Sequence, residues 1–124
     1  MADVREASTV AYRTTVETAI ADIVAFLQEV FGQKLVAYMA GVSEPRTVAR
    51  WASGESPPRA ASEERLREAY YIFRLLNTEE SPHTVRAWFV GLNPQLDDES
   101  PAAAIRDDRP RDVRVAAKAF LAGG

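Results

Sequence analysis

The sequence predicts an all-α protein: a compact helical bundle that contains a helix-turn-helix and ends in a small C-terminal helical module. Three observations support this prediction. Apolar residues recur at three- and four-residue spacing over most of the chain, as they do on the buried face of a helix. Gly, Ser-Pro and Asn-Pro interrupt the chain at short intervals. No segment shows the sustained alternation of apolar and polar residues that a strand requires.

The first sixty residues are predicted to hold an N-terminal arm and a helix-turn-helix region. Residues 1–16 carry few large apolar groups, so they are a loose arm or a frayed first helix. From residue 17 a helix runs to Gly32. Its apolar stripe is formed by Ile20, Ile23, Val24, Leu27, Val30 and Phe31. Two short helices follow, over 33–40 and 44–52, and a Gly- and Pro-rich breaker completes the region 17–60.

Residues 61–80 are predicted to form a bridging helix. Ser62 opens it as the N-cap, acidic residues occupy its first turn, and it runs to about Leu76. Apolar residues cover so much of its girth that neighbours are expected on two sides. The bridge therefore favours one fused unit over two free domains.

The last region, 81–124, is predicted to begin three helices at proline. Ser81-Pro82 and Ser100-Pro101 each combine an N-cap with a proline in the first helical position, and Arg109-Pro110 begins the final helix. In that helix the inward residues are predicted to be Val113, Ala116, Ala117 and Phe120.

The segment 33–54 carries the strongest functional pattern. Ala37 is small enough for a close helix crossing, Gly41 suits the left-handed backbone of a sharp turn, and Ser43 is predicted to cap the next helix. Val42 is predicted to fill the gap between the helices. Val48, Trp51 and Ala52 share one face and are predicted to anchor the second helix in the core.

The opposite face of the second helix is predicted to bind DNA. Arginine reads guanine in the major groove, threonine contacts bases, and serine and lysine suit phosphates. The predicted DNA-binding residues are Gln33, Lys34, Ser43, Arg46, Thr47, Arg50, Ser53 and Arg59. The turn has one residue more before Val48 than a standard helix-turn-helix has. Which of Arg46, Thr47 and Arg50 leads into the groove therefore stays open. The alternative is an ordinary helical hairpin with solvated arginines.

Composition narrows the class of protein. The 124 residues suffice for one core, and the absence of cysteine excludes disulfides, thiolate zinc sites and cysteine nucleophiles. The net charge is −3, but residues 33–60 have a balance of +2 and residues 77–112 one of −4, which suggests a DNA face and a separate partner face. The weakly positive balance of residues 33–60 predicts modest affinity for DNA from a single copy, so we expect a homodimer. We also expect a cytoplasmic protein that does not contact membranes, since no apolar run approaches the roughly 18 residues of a span and no signal peptide is evident.

Catalysis and metal binding are not predicted. His83 is the only histidine and has no cysteine or second histidine to complete a site. The acids Asp97, Asp98 and Glu99 precede a helix, where they are expected to be solvated. We therefore expect a binding protein with no cofactor, no metal and no catalytic residue.

The chain resembles the Xre/MbcA/ParS antitoxin family. Residues 37–55 and the long helix after them resemble its Xre-type helix-turn-helix. Residues 87–105, with Asn93-Pro94 followed by Ser100-Pro101, look like its C-terminal toxin-binding module. The resemblance covers roughly residues 20–122.

This resemblance implies an antitoxin that neutralises a RES-domain toxin, an NAD-degrading enzyme, and represses its own operon. In such pairs the C-terminal end of the antitoxin lies at the entrance to the toxin's active site. The partner-binding residues implied here are Trp88, Phe89, Leu92, Asn93, Pro94, Phe120, Leu121, Gly123 and Gly124. Of the adjacent aromatic residues Trp88 and Phe89, one is expected to belong to the core.

Two other functions stay open at this point. One is a helix-turn-helix regulator without a toxin, either an orphan or of the phage or nucleoid-associated type. The other is a protein-interaction module whose helix-turn-helix no longer reads DNA, as the acidic net charge suggests.

Overall fold

The computed structural model describes residues 3–123, which fold into eight α-helices and one short 3-10 helix, with no strand in that range. This confirms the all-α prediction. The helices are α1 Val4–Glu17, α2 Ile20–Phe31, α3 Gln33–Ala40, α4 Pro45–Ala52, α5 Ala60–Leu76, α6 Pro82–Val90, α7 Pro101–Arg106 and α8 Pro110–Leu121, with the 3-10 helix at Pro94–Leu96. In the described part of the chain, no helix has the length and apolar character needed to cross a membrane.

Residues 4–17 form a helix, the second of the two possibilities that the sequence left open. Asp3 caps α1 by accepting a hydrogen bond from the amide of Arg5. Its buried face consists of small residues, Ala7, Ala11 and Thr15, which explains the scarcity of large apolar groups. Arg67 of α5 donates to the carbonyl oxygens of Thr15 and Thr18, both at 2.9 Å, so α1 is fixed along the bundle.

Helix α5 occupies the centre of the bundle and is buried along most of its length, as its wide apolar surface predicts. Phe73 packs edge-on against Phe26 and Phe31 of α2, with ring centroids 5.2 and 5.7 Å apart. On the other side, Glu68 accepts two hydrogen bonds from Arg114 of α8, at 2.7 and 2.8 Å. One continuous core therefore includes residues from α1 to α8.

Two predicted serine caps are wrong. The N-cap of α4 is Glu44, not Ser43, and within residues 3–123 no side chain caps that helix; Pro45 in the first position needs no amide partner. Helix α5 begins at Ala60, before Ser62. The Ser62 hydroxyl is buried and donates instead to the carbonyl oxygen of Ala40, at 2.9 Å.

The prolines after the bridging helix fix the helix starts as predicted. Ser81 accepts a hydrogen bond from the amide of Thr84, and Ser100 accepts one from Ala103. Helices α6, α7 and α8 all have proline in their first turn. Since proline presets the backbone angle φ and lacks a donor, these boundaries follow from local chemistry.

Substitution of Gly41 tests the turn after α3. This glycine has φ +85°, and a Cβ there would lie 2.5 Å from Nη1 of Arg65. We expect Gly41→Ala to lower the free energy of unfolding by about 1–3 kcal/mol, because left-handed strain is added to the loss of a charged hydrogen bond. Gly54→Ala is the matched control: its φ is +81°, but its Cβ would meet nothing within 4 Å. Urea denaturation measures both, and equal losses would contradict a contribution from Arg65.

Candidate nucleic-acid interface and partner-binding surface

Helices α3 and α4 are two short helices joined by a sharp turn at Gly41, at the place where the sequence predicts a helix-turn-helix. Gly41 adopts the left-handed conformation, with φ 85° and ψ 25°, and the amides of Gly41 and Val42 both donate to the carbonyl oxygen of Ala37 at 3.0 Å. Val48 and Trp51 are buried, so α4 presents a fixed face to the core. Ala37 is buried and Val42 and Ala52 pack partly against the core.

The outer face of α4 carries two exposed arginines. The side chains of Arg46 and Arg50 are 78% and 55% exposed, while Thr47 is half-buried between them. Arg46 lies 4.0 Å from Glu44 and Arg50 lies 3.5 Å from Glu55. Exposed pairs of this kind contribute about 0–1 kcal/mol, so both guanidinium groups can exchange the acid for a phosphate or a base edge.

The remaining predicted DNA contacts are exposed but differ in their present partners. Gln33 and Lys34 lie in the first turn of α3, where Gln33 donates to Gln28 at 3.1 Å. Ser53 donates to the carbonyl oxygen of Arg50, at 3.1 Å, and closes the end of α4. Ser43 lies in the turn, and Arg59 is the exposed N-cap of α5.

Two arginines outside α3 and α4 hold the end of α3, and the sequence does not predict these contacts. Arg65 of α5 donates to the carbonyl oxygen of Ala40 and to both carboxylate oxygens of Asp108, each at 2.9 Å. Arg106 of α7 donates to the carbonyl oxygen of Tyr38 at 2.8 Å and lies over its ring. The bond between Arg65 and Asp108 raises the pKa of Arg65 and lowers the pKa of Asp108. These partners lie 25 to 68 residues apart, so no local sequence signal identifies them.

The predicted partner-binding residues lie on the surface at and just after the C-terminal ends of α6 and α8. Trp88 and Phe120 are half-buried, with ring centroids 6.2 Å apart, and Leu121 is also half-buried. Leu92 is 79% exposed, and Pro94 and Gly123 are also exposed. Gly124 lies outside the described residues.

Phe89 does not belong to that surface. It is 0% exposed and packs against Phe31, with ring centroids 4.7 Å apart. It is the core member of the aromatic pair, because adjacent residues on a helix point in different directions. The prediction of Phe89 as a direct partner contact is therefore corrected, and Trp88 is the member left accessible.

The loop after Leu92 is held by its own hydrogen bonds and by one arginine. Asn93 accepts from the amide of Gln95 at 2.9 Å and pairs with Glu99 through a single β-bridge. Arg109 lies within 4.0 Å of Asp97, Glu99 and Asp112, and its hydrogen bond with Asp112 raises its pKa. Among residues 3–123, no group of three acidic or histidine side chains is arranged to hold a metal ion.

A groove of about 550 Å³ lies between α1, α5 and α8. Its walls include Tyr12, Val16, Tyr71 and Arg114, and Arg114 stacks on Tyr71 with 4.8 Å between the guanidinium carbon and the ring centroid. The hydrogen bond to Glu68 raises the pKa of Arg114. Arg114 is therefore held in the wall of the groove by Glu68 and Tyr71.

Comparison with known proteins identifies one curated relative. Over 88 residues the chain is 33% identical to a protein of Mycobacterium tuberculosis named "probable mycobacterial cidal antitoxin". The aligned part covers 71% of this chain and 74% of that protein. No family model matches the chain. No solved structure matches it either.

Proposed function

The chain belongs to the family of the mycobacterial cidal antitoxin, and from this premise we propose that it is a DNA-binding antitoxin. In this proposal it neutralises a RES-type, NAD-degrading toxin and represses its own operon as a cytoplasmic homodimer. The observation that supports DNA binding is the division of α4 into a buried face with Val48 and Trp51 and an outer face with Arg46 and Arg50.

The second surface supports the neutralising role. The rings of Trp88 on α6 and Phe120 on α8 lie with their centroids 6.2 Å apart, and Leu92, which follows α6, is the most exposed large apolar residue of the described chain. Aromatic and apolar side chains are typical of the centre of protein interfaces. In the proposal this surface contacts the toxin, while α3 and α4 contact DNA.

A gel-shift titration with the DNA upstream of the gene tests DNA binding. The protein should shift this DNA at concentrations that leave a scrambled sequence of equal length free. Co-expression with the neighbouring gene tests the antitoxin role: the antitoxin should restore growth and co-purify with the product. A toxin that binds this protein but stays active would contradict neutralisation.

The salt dependence of DNA binding separates the proposal from a protein-interaction module. Lys34, Arg46, Arg50 and Arg59 supply four cations per copy, and a dimer supplies twice that number. Each neutralised phosphate releases counterions, so affinity should fall by about a thousandfold or more between about 50 and 200 mM salt. Fluorescence anisotropy measures the slope. Absence of binding even at low salt would favour the interaction module, for which the pairs of Arg46 and Arg50 with glutamate are the supporting observation.

The DNA titration and the co-expression with the neighbouring gene together test the alternative of a regulator without a toxin. Sequence-specific binding together with no effect of the neighbouring product would favour that function. Sedimentation of the free protein and of its DNA complex measures whether a dimer forms.

A further inference from the structure

The C-terminal end of α3 is held by side chains from outside the helix-turn-helix. The carbonyl oxygen of Ala40 accepts hydrogen bonds from Ser62 and Arg65, both at 2.9 Å, and that of Tyr38 accepts one from Arg106 at 2.8 Å. The last carbonyls of a helix lack partners within the helix and carry partial negative charge. The last turn of α3, residues 37–40, has no basic residue of its own, so α5 and α7 provide the cations.

The other edge of the Arg65 guanidinium binds the C-terminal module. Its Nε and Nη2 donate to the two carboxylate oxygens of Asp108, which lies in the turn between α7 and α8. One planar group thus joins Ala40, at the end of α3, to Asp108, which lies 68 residues later in the chain. A lysine has no planar fork and cannot make these three bonds in the same geometry.

We propose that Arg65 is a positioning residue for DNA recognition. By joining Ala40 to Asp108 it fixes the direction in which the chain leaves α3, and hence the placement of α4 and its two outer arginines. Recognition side chains must be held within about 0.5 Å of their productive positions to meet base edges. This inference rests on the proposed DNA binding. It implies that Asp108, an acidic residue of the C-terminal module, contributes to the affinity for DNA.

Asp108→Asn gives the sharpest test, because two effects have opposite signs. Removing a negative charge should by itself strengthen binding to DNA. Loss of the bidentate bond to Arg65 should instead weaken specific binding by about five- to tenfold, since charged hydrogen bonds are the strong ones. Asp107→Asn is the matched control: it removes the same charge at the neighbouring exposed residue, which makes no hydrogen bond to Arg65 among the described residues.

Arg65→Lys and Arg67→Lys form a second matched pair on the same helix. Both arginines donate to backbone carbonyls and to one acid, but Arg67 binds the α1 end of the bundle. Only Arg65→Lys should weaken specific binding by about fivefold or more while leaving binding to scrambled DNA unchanged. Hydrogen exchange at the amides of Gly41 and Val42 should speed up in Arg65→Lys and Asp108→Asn and stay at the wild-type rate in Arg67→Lys.

The outcomes separate this inference from the proposed function. Wild-type protein without DNA preference would overturn both. If the wild type prefers its upstream DNA but Asp108→Asn binds as tightly as Asp107→Asn, positioning by Arg65 is overturned and DNA binding stands. Should Arg65→Lys fail to fold, Asp108→Asn decides, because its side chain is two-thirds exposed. Unchanged exchange at Gly41 and Val42 in that variant would also overturn the inference.

Discussion

Arg50→Ala is expected to abolish the sequence-specific shift of the upstream DNA. Arg50 is exposed on the outer face of α4, in its last turn, and its only ion pair in the described chain is the 3.5 Å contact with Glu55. A bidentate arginine–guanine contact contributes about 1–3 kcal/mol of discrimination. Both copies of a symmetric dimer lose it, so specific affinity should fall by about 30-fold or more.

Two variants control this experiment. Arg86→Ala removes an exposed positive charge from α6, outside α3 and α4, and should leave the specific shift almost unchanged. Glu55→Gln frees Arg50 from its acid and should tighten binding slightly, since one anion near the phosphates is removed. A specific shift that survives Arg50→Ala would remove this residue from base recognition and leave Arg46 and Thr47 as the candidates.

Deleting residues 120–124 is expected to release the toxin. The deletion removes Phe120, whose ring packs 6.2 Å from that of Trp88, and Leu121, and so takes away one half of the proposed toxin surface. Fully burying one large apolar side chain contributes about 1.5–3 kcal/mol, so loss of two should weaken the complex by about a hundredfold or more. Growth of co-expressing cells and the NAD content of their extracts measure the release.

A point substitution guards against a truncation that simply unfolds. Leu92→Ser changes an exposed side chain and should leave the unfolding transition in place while weakening the complex by about tenfold or more. Val10→Ser is the matched control, because Val10 is an exposed apolar residue on α1, away from α6 and α8 in the chain. Equal neutralisation by Leu92→Ser, Val10→Ser and the truncated protein would show that this surface does not hold the toxin.

Much of the fold could be predicted because its boundaries are set locally. Proline at the starts of α6, α7 and α8 and the left-handed Gly41 act through the backbone of a few neighbouring residues. The same reasoning places Val48 and Trp51 inward, because spacing along one helix decides which side chains share a face.

What could not be predicted depends on contacts between distant segments. Ser62 has the sequence pattern of a cap, but its hydroxyl serves Ala40 on another helix. The sequence predicts a loose arm or a frayed helix for residues 1–16 because alanine contributes little apolar area, yet small side chains permit the close packing of Ala7 and Ala11 in the core. Asp108 and Arg65 are both ordinary surface residues in the sequence; only the fold brings their atoms to 2.9 Å.

The dependence of α1 and α3 on later parts of the chain sets the order in which a newly made molecule can mature. The hydrogen bond to the carbonyl oxygen of Thr15 cannot form until Arg67 has been synthesised, 52 residues further on. The bond to the carbonyl oxygen of Tyr38 cannot form until Arg106 has been synthesised, 68 residues further on. At a synthesis rate of about 5–20 residues per second, these delays are about 3–14 s. A 14-residue helix is marginal alone in water, so α1 should stay unformed on the ribosome until α5 emerges. The end of α3 acquires its last donor only when α7 has been made, so a ribosome-bound fragment that stops short of α7 should carry α4 without its final placement.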